Sequence, residues 1–201
     1  MLFFLCGWTE CHKFTCKLPF LDSVHDFQLQ IYFNPFFMTV DYNQLIKDIT
    51  KIDLDDICSD WQWLLNNQYS PIMVAFSGDM FVVDKNAAIF WLDTGKGHLK
   101  QIADSIEEFK SSLEDLDNID EWLLASTVLD LIETGMTLKE NEVYSYKTMP
   151  ILNGNYSLEN FEATNISVHF SMTGQICRQI INLPEGTRIN KVAINPFTNN
   201  T

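Results

Sequence analysis

The sequence predicts an α+β fold: an antiparallel β-meander, two central helices packed on the sheet, and a C-terminal β-rich section. Three observations carry this expectation. Four short runs rich in β-branched and aromatic residues, "IMVAF", "MFVVD", "AIFWLD" and "HLKQIA", follow one another between Ile72 and Ala103. Their separators, Ser77-Gly78-Asp79, Asp84-Lys85-Asn86 and Thr94-Gly95-Lys96-Gly97, are turn formers and too short for parallel crossovers. After them a helical stripe begins at a capping box, and alternation returns beyond it, the order expected of an α+β domain.

Taken in order, residues 1–37 read as a foreign or poorly packed extension. They are rich in Phe and Cys, hold no period, and lack the basic start of a signal peptide. At Met38 the chain turns acidic and amphipathic, so the expected native start is Met38, with a single domain over 38–195 and a flexible tail over 196–201. Asp41 is placed to cap a short helix carrying Leu45, Ile46 and Ile49. "DLDDICSDWQWLL" sets Ile57, Trp61 and Leu64 or Leu65 at helical spacing, and Pro71 then breaks the chain. The meander follows.

Ser105 and Glu108 match S-x-x-E, opening a helix with Ile106, Phe109, Leu113 and Leu116 on one stripe. A second helix is expected from Asn118, with Glu121 reciprocal to it, through Trp122, Leu123, Val128, Leu129 and Ile132 to a stop at Gly135. "EVYSYK" alternates, Asn153-Gly154 marks a turn, and "NISVHFSM" alternates Ile166, Val168 and Phe170 against Ser167, His169 and Ser171. "QICRQIINL" fits strand or helix. Pro184-Glu185-Gly186 is a turn, and "RINKVAI" reads as a closing strand.

Composition excludes several classes. The formal charge is −14, from 27 acids against 13 bases, which argues against nucleic-acid binding and suits a basic partner. No apolar run approaches the ~20 residues of a membrane span. The five cysteines (Cys6, Cys11, Cys16, Cys58, Cys177) are odd in number and make no disulfide framework, so a reducing cytoplasm is expected. "WLDTGKGHL" suggests a phosphate loop, but Gly97 stands where Ser or Thr is needed and no glycine lies five residues before Gly95. No metal site is expected: Cys11-His12 and Cys16 lack paired spacing, and "DLDD" and "EDLDNIDE" do not fit the calcium-loop pattern. The tryptophans read as core. His169, with Cys177 or Gln175 near it, is the one candidate for an alternative enzyme or small-ligand reading. No catalytic constellation, cofactor site or metal set is predicted. That leaves a binding protein, or an orphan interaction domain.

Three segments carry a family resemblance: "SDWQWLLNNQYSPIMVAFSGDMFVVDKNAAIFWLDTGKGHLKQIADSIEEF", "DEWLLASTVLDLIETGMTLKENEVYSYKTMPILNGNYSLENFEATNISVHFSMTGQICRQI" and "LPEGTRI". Together they resemble the C-terminal domain of type VI secretion immunity proteins, which protect bacteria from a DNase effector, within the wider group of small toxin-immunity domains. The resemblance implies a cytoplasmic, non-catalytic protein that binds and blocks a cognate toxin, a nuclease being the implied case. It brings no catalytic motif. The expected partner-binding residues come from charge and aromatic character: Asp53, Asp55, Asp56 and Asp60, with Trp63 as an anchor, and Glu114, Asp115 and Asp117.

Overall fold

The computed structural model describes residues 30–33, 38–41, 44–184 and 186–195, the first two stretches by backbone alone. Most of the expected extension, residues 1–29 and 34–37, and the tail 196–201 lie outside the described residues. Strands β1 (Gln30–Phe33) and β2 (Met38–Asp41) pair antiparallel, with Phe33 opposite Met38.

Asp41 lies in β2, and the short helix expected to carry Leu45, Ile46 and Ile49 is not formed. The chain instead forms the two-residue strand β3 (Ile46–Lys47) and a 3₁₀ turn (Ile49–Lys51) capped by Asp48. Leu45 and Ile49 enter separate core clusters, so they share no helical face. The Phe76 N–H donates to the Leu45 carbonyl at 2.8 Å, which ties this segment to the sheet. Helix α1 (Leu54–Ser59) and the short α2 (Gln62–Leu65) then form as expected, with Leu65 rather than Leu64 buried.

The meander is borne out. Strands β4 (Tyr69–Ala75), β5 (Met80–Asp84), β6 (Ile89–Asp93) and β7 (His98–Ala103) pair in sequence with β3, all antiparallel. Pro71 does not break the chain. It sits within β4 opposite Val82, beside an irregularity in register between Pro71 and Met73 where the missing N–H is tolerated.

Strict alternation gives the sheet two buried faces. Phe81, Ile89 and Trp91 enter one core cluster, while Met80, Val82 and Leu92 enter the other. The first face is covered by three helices where two were expected: α3 (Ile106–Ser112), α4 (Leu116–Leu123) and α5 (Ala125–Glu133). Ser105 caps α3 by accepting the Glu108 N–H at 3.2 Å, and the Glu108 carboxylate reaches back to the Asp104 N–H at 2.7 Å. Asp115, not Asn118, caps α4, and Asn118 donates to the Ser112 carbonyl from inside the helix. The break falls at Leu124, whose φ is 51°. The Asp120 side chain accepts the Ser126 N–H there at 2.8 Å, so an acid and not a glycine stabilises the corner.

The second face is covered by α1, α2 and a long helix that replaces the expected C-terminal strand. Strands β8 (Glu142–Tyr146) and β9 (Phe161–Asn165) form their own antiparallel pair, and α6 spans Ile166–Ile180. The buried positions of α6 are Ile166, His169, Phe170, Thr173, Gly174, Cys177 and Ile180, a three-and-four spacing sustained over the helix. Alternation across five residues was an accident of that longer period. Asn165 starts the helix by accepting the Ser167 and Val168 N–H groups at 3.0 and 3.3 Å. Asn165→Ala is expected to cost about 1 kcal/mol of unfolding free energy, read from chemical denaturation.

The expected closing strand is also absent. Arg188–Ile194 holds no strand; it runs as a strap along α6. The Gln179 side-chain amide pairs with Ala193 in both directions, at 2.8 and 3.1 Å, and the Gln175 side-chain Oε1 accepts the Asn195 N–H at 2.7 Å. The turn at Pro184 is present, with the Thr187 N–H donating to its carbonyl. Among the described residues no helix is long and apolar enough to cross a membrane.

Candidate functional site

The sequence contains one histidine in a chemically suggestive setting, and the fold explains it. His169 lies on α6 with 1% of its surface exposed. It meets Gly78 from the β4–β5 turn, Thr94 from the end of β6, and Ser145 from β8. The Ser145 hydroxyl sits 2.8 Å from Nδ1; Nε2 lies 3.1 Å from both the Gly78 carbonyl and Thr94 Oγ1. One proton arrangement satisfies every group. Ser145 donates to Nδ1, the Nε2–H faces the carbonyl and Oγ1, and the Thr94 hydroxyl donates to the Asp79 carboxylate at 2.9 Å. Asp79 also accepts the Thr94 N–H at 2.8 Å and the Trp91 indole N–H at 3.0 Å.

Burial keeps the His169 ring neutral and pushes Asp79 towards its protonated form, against the three donors that favour its carboxylate. Desolvation pushes His169 down to about 4, against the Gly78 carbonyl, which favours the protonated ring. Desolvation first, then the neighbouring Asp93 charge, pushes Asp79 up to about 8. Cys177 donates to the Thr94 carbonyl at 3.7 Å, and burial raises its thiol to about 12. Gln175 binds the Asp60 carboxylate and lines no cleft with His169. His169, Asp79, Cys177 and Gln175 line none of three grooves found among the described residues, although Trp91, which donates to Asp79, lines one of them. The set ties α6 to the β4–β5 turn, the end of β6 and β8. Among the described residues no cluster of three or more His, Cys, Asp or Glu is placed to hold a metal ion.

The Gly-Lys-Gly stretch is the β6–β7 turn, as its turn chemistry implies. The Gly97 N–H donates to the Asp93 carbonyl at 2.8 Å and the Lys96 N–H to the Asp93 side chain at 2.9 Å. Gly97 adopts a φ of 71°, while Gly95 is needed for room: a Cβ there would lie 2.8 Å from the Tyr146 ring. Lys96 pairs with Asp93 at 3.2 Å and lies 5.8 Å from the centre of the Tyr156 ring.

Beside this turn opens a groove of about 800 Å³, between the end of the sheet and the α4–α5 corner. Trp91, Leu99 and Leu124 give it an apolar lining, and the exposed Asp120, Glu121 and Tyr156 border it. The groove runs into the outer surface of the α3–α5 layer. From Asp104 to Glu133 that layer carries ten carboxylates against one base, Lys110, and all ten acids are exposed. Their difference, nine negative charges, is most of the chain's −14. Of the ten, Glu114, Asp115 and Asp117 were named from sequence, and Asp120 and Glu121 lie in the same 114–121 run; Asp104, Glu107, Glu108, Asp130 and Glu133 were missed, although a running charge count finds them.

The two expected acidic segments do not come together. The buried residues of α1 pack on one face of the sheet and those of α4 on the other. Asp53, Asp55 and Asp56 are exposed at the start of α1, where Asp53 caps the helix by accepting the Asp56 N–H. Asp60 is half-buried and its carboxylate takes the Ser171 hydroxyl and the Gln175 amide. Trp63 is half-buried and stacks on Trp61, with ring centres 5.8 Å apart. Glu114, Asp115 and Asp117 are exposed, Asp115 being engaged as the cap of α4.

Residues 103–177 match the family of the C-terminal region of the T6SS immunity protein Tdi1, which bears out the resemblance read from the sequence. The match spans α3 to most of α6, and so takes in the acidic layer, Tyr156, Ser145 and His169. No curated protein matches the chain. Among solved structures it is similar to Atu4351 from Agrobacterium tumefaciens, at 13% identity over 62% of this chain, with a TM-score of 0.45. The chain spans 65% of the length of that structure.

Proposed function

We propose, from the match of residues 103–177 to a type VI secretion immunity family, that this protein binds a cognate toxin and neutralises it without catalysis. That match is the observation that carries the reading. Two features of the molecule support it. Its most suggestive catalytic groups, His169 and Asp79, are buried, and among the described residues neither lines the grooves beside the β6–β7 turn, along the C-terminal strap or at Phe76. Its surface charge is concentrated on one helical layer, the feature an inhibitor of a basic protein needs for fast encounter. A nuclease suits that charge, because its substrate groove must be basic to hold phosphates. This reading has the protein act in the cytoplasm, and the unpaired thiols of Cys58 and Cys177 suit a reducing compartment.

The test is protection. If a gene beside this one encodes a toxin, cells expressing that toxin should survive when this chain is co-expressed and die without it. Equal killing in both strains sinks the reading.

A further inference from the structure

We infer that the docking surface is the outer face of the α3–α5 layer together with the groove at the α4–α5 corner, and that its occupant is a basic surface of the toxin. This rests on the immunity reading and makes one choice within it: the α1 acids take no part.

Three observations favour this face. The first is charge complementarity. Ten exposed carboxylates stand against the single Lys110 over residues 104–133, whereas the α1 side offers fewer acids. Lys51 precedes those acids in the chain and pairs with Glu140 at 2.6 Å. A face so biased attracts a basic partner from a distance, and salt weakens that attraction.

The second is an apolar recess continuous with the charge. Asp120 and Glu121 border both the acidic layer and the groove, whose apolar lining is Trp91, Leu99 and Leu124; Lys96 and Lys100 stand on its sheet side, Lys100 being 3.9 Å from Glu121. Tyr156 stands at its edge, 42% exposed, next to Lys96. An aromatic ring beside a recess and ringed by charges is the arrangement found at binding hot spots. A long side chain of the partner, its stem on Leu99 and Leu124 and its cationic end towards Asp120, fits both parts, and at Glu121 it competes with the exposed Lys100.

The third is rigidity. The inner side of the layer is fixed to the sheet by Phe109, Leu113, Ile119, Trp122, Val128 and Leu131, each at most 5% exposed. The corner at Leu124 is closed by the Asp120 side chain. A preorganised face loses little ordering entropy on binding.

The experiment uses the full chain and, as probe, a catalytically inactivated form of the toxin encoded by the adjacent gene. Affinity and association rate are measured by surface plasmon resonance at two salt concentrations. The Asp117→Lys/Glu121→Lys double variant should weaken binding at least tenfold, chiefly through slower association and with a shallower salt dependence. Tyr156→Ala should weaken it at least fivefold through faster dissociation. Asp55→Lys/Asp56→Lys, on the opposite side of the sheet, should stay within twofold of the parent. Circular dichroism of each variant must match the parent, and any variant that fails is replaced by Asp117→Asn/Glu121→Gln, expected to weaken binding at least threefold. If the parent binds but the α4 variants and Tyr156→Ala bind equally well, this face is wrong and the immunity reading stands. If the α1 reversal alone weakens binding, the face is wrong in the same way. If the parent does not bind at all, the immunity reading itself falls.

Discussion

Gly78→Ala should destabilise the protein by about 3–5 kcal/mol, enough to leave much of it unfolded at physiological temperature. A Cβ at this position would lie 2.4 Å from His169 Nε2 and 2.6 Å from Cε1. The ring cannot retreat, because Ser145 holds Nδ1 and the Gly78 carbonyl and Thr94 hold Nε2. Moving it strands at least two buried polar groups. The backbone adds to the cost, since φ is +88°. Gly135 separates the two contributions. Its φ is +87°, yet nothing lies within 4 Å of the added Cβ. Gly135→Ala should therefore lose only about 1 kcal/mol. Urea unfolding of the two variants measures the difference, and equal losses would mean that the His169 contact plays no part.

The second large effect is the dependence of stability on pH. Asp79 has a folded pKa of about 8 against an ordinary 3.8, so between those values the folded state holds a proton the unfolded state has released. Its contribution to stability therefore falls as pH rises through that window. His169 works the other way. Its folded pKa is about 4 against 6.5, so the unfolded state gains a proton that the folded ring refuses, and stability falls as pH drops from 6.5 to 4. The two slopes oppose each other from pH 4 to 6.5 and nearly cancel. Above 6.5 only Asp79 acts, so stability should decline towards pH 8. Asp79→Asn should remove that alkaline decline and uncover the acid-side loss from His169. Denaturation midpoints across pH 4–9 check this; a parent curve that rises from 6.5 to 8 would contradict the assignment.

The meander was legible because its signal is local. Met80 and Val82 alternate with Phe81, and each turn carries its own glycine, Asp or Asn. Helix α6 was not, because its first five residues fit a period of two as well as of 3.6. Only Gly174, Cys177 and Ile180 decide between them. Gly174 misleads further, since it reads as a breaker. Its real role is to let the Asp60 backbone approach, where a Cβ would lie 2.7 Å from that carbonyl oxygen. The break at Leu124 carries no glycine or proline, and its support comes from a side chain four residues earlier.

The candidate site divides in the same way. Charge is additive along the chain, so the acid-rich stretch around Glu114 was visible without a structure. The network around His169 joins residues 24, 75 and 91 positions apart, a proximity that no local pattern encodes. Which acids share a face depends on which side of the sheet each helix covers. That is why the α1 and α4 segments looked equivalent in sequence and lie apart in the fold.

The most direct measurement of the central claim is a titration of the neighbouring toxin's activity with this purified chain. The account predicts that activity falls linearly to its floor at one equivalent and returns when salt or the Asp117→Lys/Glu121→Lys change weakens the complex. Full toxin activity in the presence of a several-fold excess of folded protein would contradict it.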